Sequence, residues 1–202
     1  MTTAFDEMGL TNFPEDLAAL RELGLWARTP AAALTRAVEV GSWAGLSALA
    51  LAQHCDVVYC IDHWEGGTPF PEGPEGKVDN IGIDAPTIGP KKAFQTFCRN
   101  VGDNLMRSII PCVGRSRTWA EIWPSTVDLV YIDASHDYDS VKQDIALWLP
   151  HVRDGGIIAG HDYGFFEGVT RAVYEAFGAR VQVAGKLVWW VRKEATCPTP
   201  SS

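Results

Sequence analysis

An α/β fold around a mostly parallel sheet is what this sequence predicts, on three observations. Short apolar runs alternate with stretches of helical period, from "RAVEVG" (36–41) to "GVTRAVYEAF" (168–177). The alternation ends in two consecutive strand-like runs, "RVQVA" (180–184) and "LVWWVRK" (187–193), around Ala184-Gly185-Lys186. Polar residues close the earlier runs, as in "VEVG", "YCID" and "YIDA". Alternation implies parallel strands joined by helices on both faces, and the closing hairpin implies an antiparallel last strand in a sheet of seven.

Taken in order, "PEDLAALRELGLWA" (14–27) carries Leu17, Leu20, Leu23 and Leu25 near a helical period, with Pro14 and Glu15 suited to a first turn. "RAVEVG" reads as a buried strand and "AGLSALALAQHC" (44–55) as the helix behind it. "DVVYCID" (56–62) is the second strand. Residues 63–90 are dense in Gly and Pro, the composition of a lid or binding loop. "KKAFQTFCRNVGDNL" (91–105) returns to helix, "SIIPCVG" (108–114) to strand, and "WAEIW" (119–123) is a short helix. "VDLVYIDA" (127–134) is the fourth strand. "DYDSVKQDIALWLPHV" (137–152) is helical, with Val141, Ile145, Trp148 and Leu149 on one face. "GGIIAGHDY" (155–163) is a strand that finishes in charged groups. The chain divides into an N-terminal helical segment (1–30), one domain (31–193) with the insert 63–90, and a disordered tail (194–202).

Composition narrows the function. The formal net charge is −8, with no basic stripe, so a polyanionic nucleic acid would be repelled on average. No apolar run reaches the roughly 20 residues that span a bilayer, so no membrane partner is expected. The acidic opening "MTTAFDEMGLTNFPEDL" lacks the pattern of a signal peptide. Five cysteines without CxxC pairs point to reduced thiols and a cytoplasmic setting. The balance suggests a small-molecule substrate.

Ligands of such sheets bind at the carboxyl ends of the strands, so Glu39, Asp62, Asp133, His161 and Asp162 are expected to share one crevice. The stretch "VEVGSWAGLS" (38–47) ends a strand in two glycines, Gly41 and Gly45, which would let a ligand approach the backbone. It does not form a phosphate loop. Counting G-x-G-x-x-G from Gly41 places Trp43 and Leu46 where glycines are required, and no Gly-Lys-Ser/Thr follows. Asp62, at the end of the next strand, stands where a carboxylate holds two ribose hydroxyls. A ligand with a ribose, no phosphate and a cationic end fits, and S-adenosylmethionine is the obvious candidate.

The motifs "VEVGSWAGLS", "CIDHW" and "VDLVYIDASHDYDSVKQDIALWLPHVRDGGIIAGHDY" resemble those of class I S-adenosylmethionine-dependent methyltransferases. The resemblance is to small-molecule O-methyltransferases related to the macrocin and mycinamicin sugar enzymes and to cephalosporin-cluster proteins, and it runs from about Pro14 to Lys193. It implies a Rossmann-like methyltransferase fold, with Glu39, Gly41, Ser42 and Gly45 lining the cofactor, Asp62 on its ribose and Ser116 at its adenine. Trp64 would cover adenine or acceptor.

Similarity to metal-dependent relatives such as catechol O-methyltransferase implies a cation held by Asp133, His161 and Asp162. Oxygen ligands suit Mg²⁺, while a nitrogen at His161 would favour Mn²⁺; alternatively His161 is not a ligand. His136, three residues after Asp133, matches the place of a catalytic base and titrates near neutrality, at about 6.5 when unperturbed. The expected activity is methyl transfer to a hydroxyl of a sugar or secondary metabolite. The alternative is an accessory S-adenosylmethionine-binding protein of the same fold. Relatives often form homodimers or larger homo-oligomers, and "NFPEDLAALRELGLWA" (12–27) could provide such a surface, although packing within the chain explains it equally well.

Overall fold

Mostly apolar strands of five to nine residues, largely buried on both faces, set the parallel part of the sheet. The computed structural model of the chain describes residues 13–29, 34–65 and 90–195. The strands are β1 (Arg36–Val40), β2 (Val57–Asp62), β3 (Ile109–Val113), β4 (Val127–Ile132), β5 (Val152–Gly160), β6 (Gln182–Ala184) and β7 (Val188–Arg192). They lie in the order β3-β2-β1-β4-β5-β7-β6. The first five are mutually parallel, and β7 runs antiparallel to both β5 and β6. The chain moves outward from β1 to β2 and β3, then returns to place β4 on the other side of β1. A crevice opens at that reversal, beyond the carboxyl ends of β1 and β4.

Helices α1 (Pro14–Ala27), α2 (Leu46–Leu51) and α3 (Pro90–Val101) cover one face, and α4 (Ser116–Ile122), α5 (Tyr138–Trp148) and α6 (Glu167–Phe177) the other. The side-chain period of two then assigns the cores. Ala37, Cys60, Leu129 and Tyr131 meet Leu20, Leu23, Leu51 and Phe97, whereas Val38, Val40, Val130 and Ile132 meet Ile145, Trp148 and Val173. Trp189 and Trp190 point one ring into each layer. Glu39 falls on the α1–α2 face, in one rung with Cys60 and Tyr131.

Several boundaries differ from expectation: α4 starts at Ser116 rather than 119, and α3 and α5 end at Val101 and Trp148 rather than at 105 and 152. Helix α2 (expected 44–55) starts only at Leu46, because Trp43 and Gly45 are left-handed (φ 39° and 84°) and cannot continue a right-handed turn backwards, and it gives way to a turn after Leu51. Strand β5 starts at Val152 rather than at 155, with a register shift against β4 between Val127 and Leu129. Among the described residues no helix is long and apolar enough to cross a membrane. Most of the expected 63–90 insert and of the 194–202 tail lies outside the described residues.

Candidate active site

The centre of the site is a carboxylate where an apolar side chain would ordinarily stand. Glu39 is fully buried on β1, and the thiol of Cys60 donates to its Oε2 at 3.5 Å. Burial pushes its carboxyl up to about 7, against the pull of the Ser42 and Ser47 hydroxyls nearby. Oε1 of Glu39, Oγ of Ser42 and the Tyr131 hydroxyl are buried without a well-formed hydrogen bond. No cation faces Glu39 from the described residues, so a positively charged ligand group would find its counter-ion there.

The glycines of this loop answer to the protein itself. Gly41 has φ 88°, and a Cβ on it would collide with the carbonyl of Asp133 and with Cα of Ala134. A Cβ on Gly45 would come within 2.8 Å of Val101 and 3.0 Å of Phe97. Close approach is required, as the sequence implied, but the approaching groups are the tip of β4 and helix α3.

Asp62 fastens the same loop. Its Oδ2 accepts the backbone N–H of Trp43 at 2.9 Å, and Oδ1 that of Trp64 at 2.7 Å. Each oxygen keeps a further lone pair for a hydroxyl. Trp64 does not stand over the crevice. It is buried beneath it, between Phe94 and Phe97, and its indole N–H donates to the Trp43 carbonyl. The Ser116 side chain is likewise engaged, donating to Asp144 at 2.5 Å and accepting from Trp148 at 2.9 Å, which locks α4 to α5. The Ser116 hydroxyl keeps one lone pair beyond these two bonds.

Across the crevice, Asp162 follows β5 with a left-handed backbone (φ 66°), a conformation that is strained in most residues and marks functional sites. Its carboxylate lies between two imidazoles. Oδ2 is 3.0 Å from Nε2 of His136, and Oδ1 is 3.2 Å from Nδ1 of His161. These contacts hold the Asp162 carboxyl well below the usual range against the effect of burial. Burial raises the Asp133 carboxyl; Asp162 adds to the rise, and the two histidines oppose it.

The two histidines differ in what they can offer. Both nitrogens of His161 face carboxylates, Nε2 lying 3.2 Å from Asp16 Oδ2, and its pKa is pushed up to about 9 despite burial. An imidazole donating from both nitrogens has no lone pair for a metal. Among the described residues, Asp133, His136 and Asp162 bring one possible ligand atom each within 4.8 Å of one another, and His161 is not in that group. The His136 ring also stacks on Phe166, with centroids 4.2 Å apart and planes 4° from parallel. Asp16 and Phe166 were not signalled by sequence. Asp16 sits 145 positions from the ring it meets and looks like ordinary first-turn acidity.

Comparisons with known proteins fit this geometry. A family model described as a methyltransferase domain matches residues 38–163, from β1 to just past β5. The solved O-methyltransferase NovP is similar over 90% of this chain and 80% of its own, with a TM-score of 0.69 at 16% identity. TomG of Streptomyces achromogenes, an O-methyltransferase of tomaymycin synthesis solved with SAM, covers 94% and 86%, with a TM-score of 0.63 at 13% identity. An rRNA methylase from Streptococcus thermophilus covers 92% and 99%, with a TM-score of 0.59 at 12% identity. No curated protein sequence matches the chain. With well over half of its residues inside the matching model, the chain belongs to the methyltransferase-domain family.

Proposed function

We propose that the chain transfers the methyl group of S-adenosylmethionine to a hydroxyl of a small molecule. In this reading His136 takes the hydroxyl proton, and Asp133 and Asp162 belong to a divalent-cation site. The observation that carries it is the meeting of Glu39, Asp62, Asp133 and Asp162 at the carboxyl ends of four adjacent strands.

The residues present suit the cofactor. Glu39 offers a buried, unpaired oxygen to an ammonium group, and Asp62 offers spare lone pairs to ribose hydroxyls. Gly41, Ser42 and Gly45 form the loop over them, and the backbone of Ser116 borders the adenine. S-adenosylmethionine supplies a methyl group on a sulfonium, which an oxygen nucleophile can displace.

The remaining task is to make that oxygen nucleophilic. Asp162 orients His136 through Nε2 and raises its pKa, so the ring is a stronger base than free histidine. The Phe166 stack keeps the ring in plane. Asp133 and Asp162 present the oxygen donors that Mg²⁺ prefers, and a His136 nitrogen in the set would shift preference toward Mn²⁺. A divalent cation bound there would lower the pKa of the acceptor hydroxyl.

Calorimetry with S-adenosylmethionine and with NAD, each with and without Mg²⁺ or Mn²⁺, tests the reading. Binding of the former alone is expected. Labelled methyl transfer should stop in chelator and in Asp133→Ala while cofactor affinity persists. His136→Ala should slow transfer by about 10²- to 10⁴-fold. A second reading, favoured by the closeness of the three ligand atoms, makes His136 a metal ligand; His136→Ala would then also weaken Mn²⁺ binding. Tight cofactor binding with no transfer to any hydroxylated acceptor would leave an accessory binding protein.

A further inference from the structure

Asp16 lies outside the family match and in the first turn of α1, yet it is fully buried. Its two oxygens have separate partners. Oδ1 accepts the backbone N–H groups of Lys186 and Leu187 at 2.5 and 3.1 Å, which pins the β6–β7 turn to α1. The fit at this turn leaves no room for a side chain, since a Cβ on Gly185 would run into Asp16 Oδ1. Oδ2 faces Nε2 of His161 at 3.2 Å. A buried carboxylate is costly unless its oxygens are well hydrogen-bonded. Anchoring the turn needs only one acceptor oxygen, which an amide would also provide. The second oxygen is needed at His161.

We propose that Asp16 is a positioning residue of the active site: by holding Nε2 of His161 it fixes the ring whose Nδ1 holds the Asp162 carboxylate beside Asp133 and His136. The proposal rests on the methyl-transfer reading for what the site does. Asp162 has a left-handed backbone, so neither strand nor helix geometry dictates where its side chain points. Its direction is set by two contacts, His136 on Oδ2 and His161 on Oδ1. Without Asp16 the His161 ring can turn, and one of the two contacts is lost. Outer partners of this kind are worth about 10- to 100-fold in metal affinity or activity.

Asp16→Asn separates the two jobs. The N–H groups of Lys186 and Leu187 require an oxygen, so the amide turns its NH₂ to His161, where it cannot accept a hydrogen bond. The variant should fold and bind S-adenosylmethionine like the parent. It should lose about 10- to 100-fold in kcat and in Mn²⁺ affinity, with KM for the acceptor little changed. Imidazole ¹⁵N–¹H NMR of the metal-free protein should show a hydrogen-bonded His161 Nε2–H that disappears in Asp16→Asn. In a His161→Ala background, Asp16→Asn should add nothing further to the loss. Unchanged kcat and Mn²⁺ affinity in Asp16→Asn, or an equal added loss in the His161→Ala background, would overturn the proposal. So would Asp16→Asn and Asp16→Ala lowering thermal stability alike with the chemistry intact, because Asp16 would then serve the fold alone. A parent that binds S-adenosylmethionine but not Mn²⁺ refutes the metal reading and leaves kcat to decide. A parent that binds neither refutes methyl transfer, and the His161 signal alone then decides the contact.

Discussion

Glu39 gives the clearest link between one residue and a measurable property. Burial raises its carboxyl from 4.5 to about 7, so the folded protein binds this proton more tightly than the unfolded chain does. The associated stability is complete below pH 4.5 and is lost as pH rises through about 7, in total about 3 kcal/mol. Glu39→Gln mimics the protonated form. It should therefore match the parent near pH 5 and be the more stable protein at pH 8, by urea midpoints at both values. It should also bind S-adenosylmethionine more weakly, because an amide cannot pair with an ammonium. A parent more stable than the variant at pH 8 would mean that Glu39 is ionised and has a counter-ion. Residues of this kind were legible in sequence because each closes an apolar run. Asp16 was not, because its meaning depends on a ring 145 positions away.

At the scale of elements, the strands were legible because burial on both faces leaves mostly apolar runs, as in β4, where all six residues are buried and only Asp128 is charged. The start of α2 was not, because two left-handed residues precede it and only backbone geometry reveals them. Ser116 shows an element contact made by a residue expected to face the ligand. Its hydroxyl joins Asp144 of α5, whose carboxyl burial pushes up to about 6, and Trp148. Ser116→Ala strands both partners, so it should lower stability by about 1–3 kcal/mol while leaving the Kd for S-adenosylmethionine unchanged. A clear rise in that Kd would return the hydroxyl to the adenine site. Gly45→Ala should also destabilise, by about 1–3 kcal/mol, through its positive φ and its clash with Val101. Denaturant titration against the parent checks it, and an unaffected midpoint would show that α3 gives way.

For the whole molecule the open choice is the acceptor, and the fold does not make it. NovP and TomG are O-methyltransferases, while an rRNA methylase aligns over 92% of the same chain. Charge does discriminate. The chain carries 25 acidic against 17 Lys and Arg residues, and Glu39, Asp62, Asp133 and Asp162 gather at the crevice. A polyanion would have to bring its phosphates against that charge, and no release of counterions would compensate without a basic track. A small neutral hydroxylated molecule meets no such barrier, and the exposed Phe165 ring, set edge-on against Phe166 beside His136, offers it an apolar contact. In low salt, where electrostatic attraction would be strongest, structured RNA should therefore show no saturable binding, whereas small phenols or sugars should accept labelled methyl groups. Tight RNA binding that weakens steeply with added salt would reverse the assignment, since it requires a basic surface that the net charge of −8 conceals.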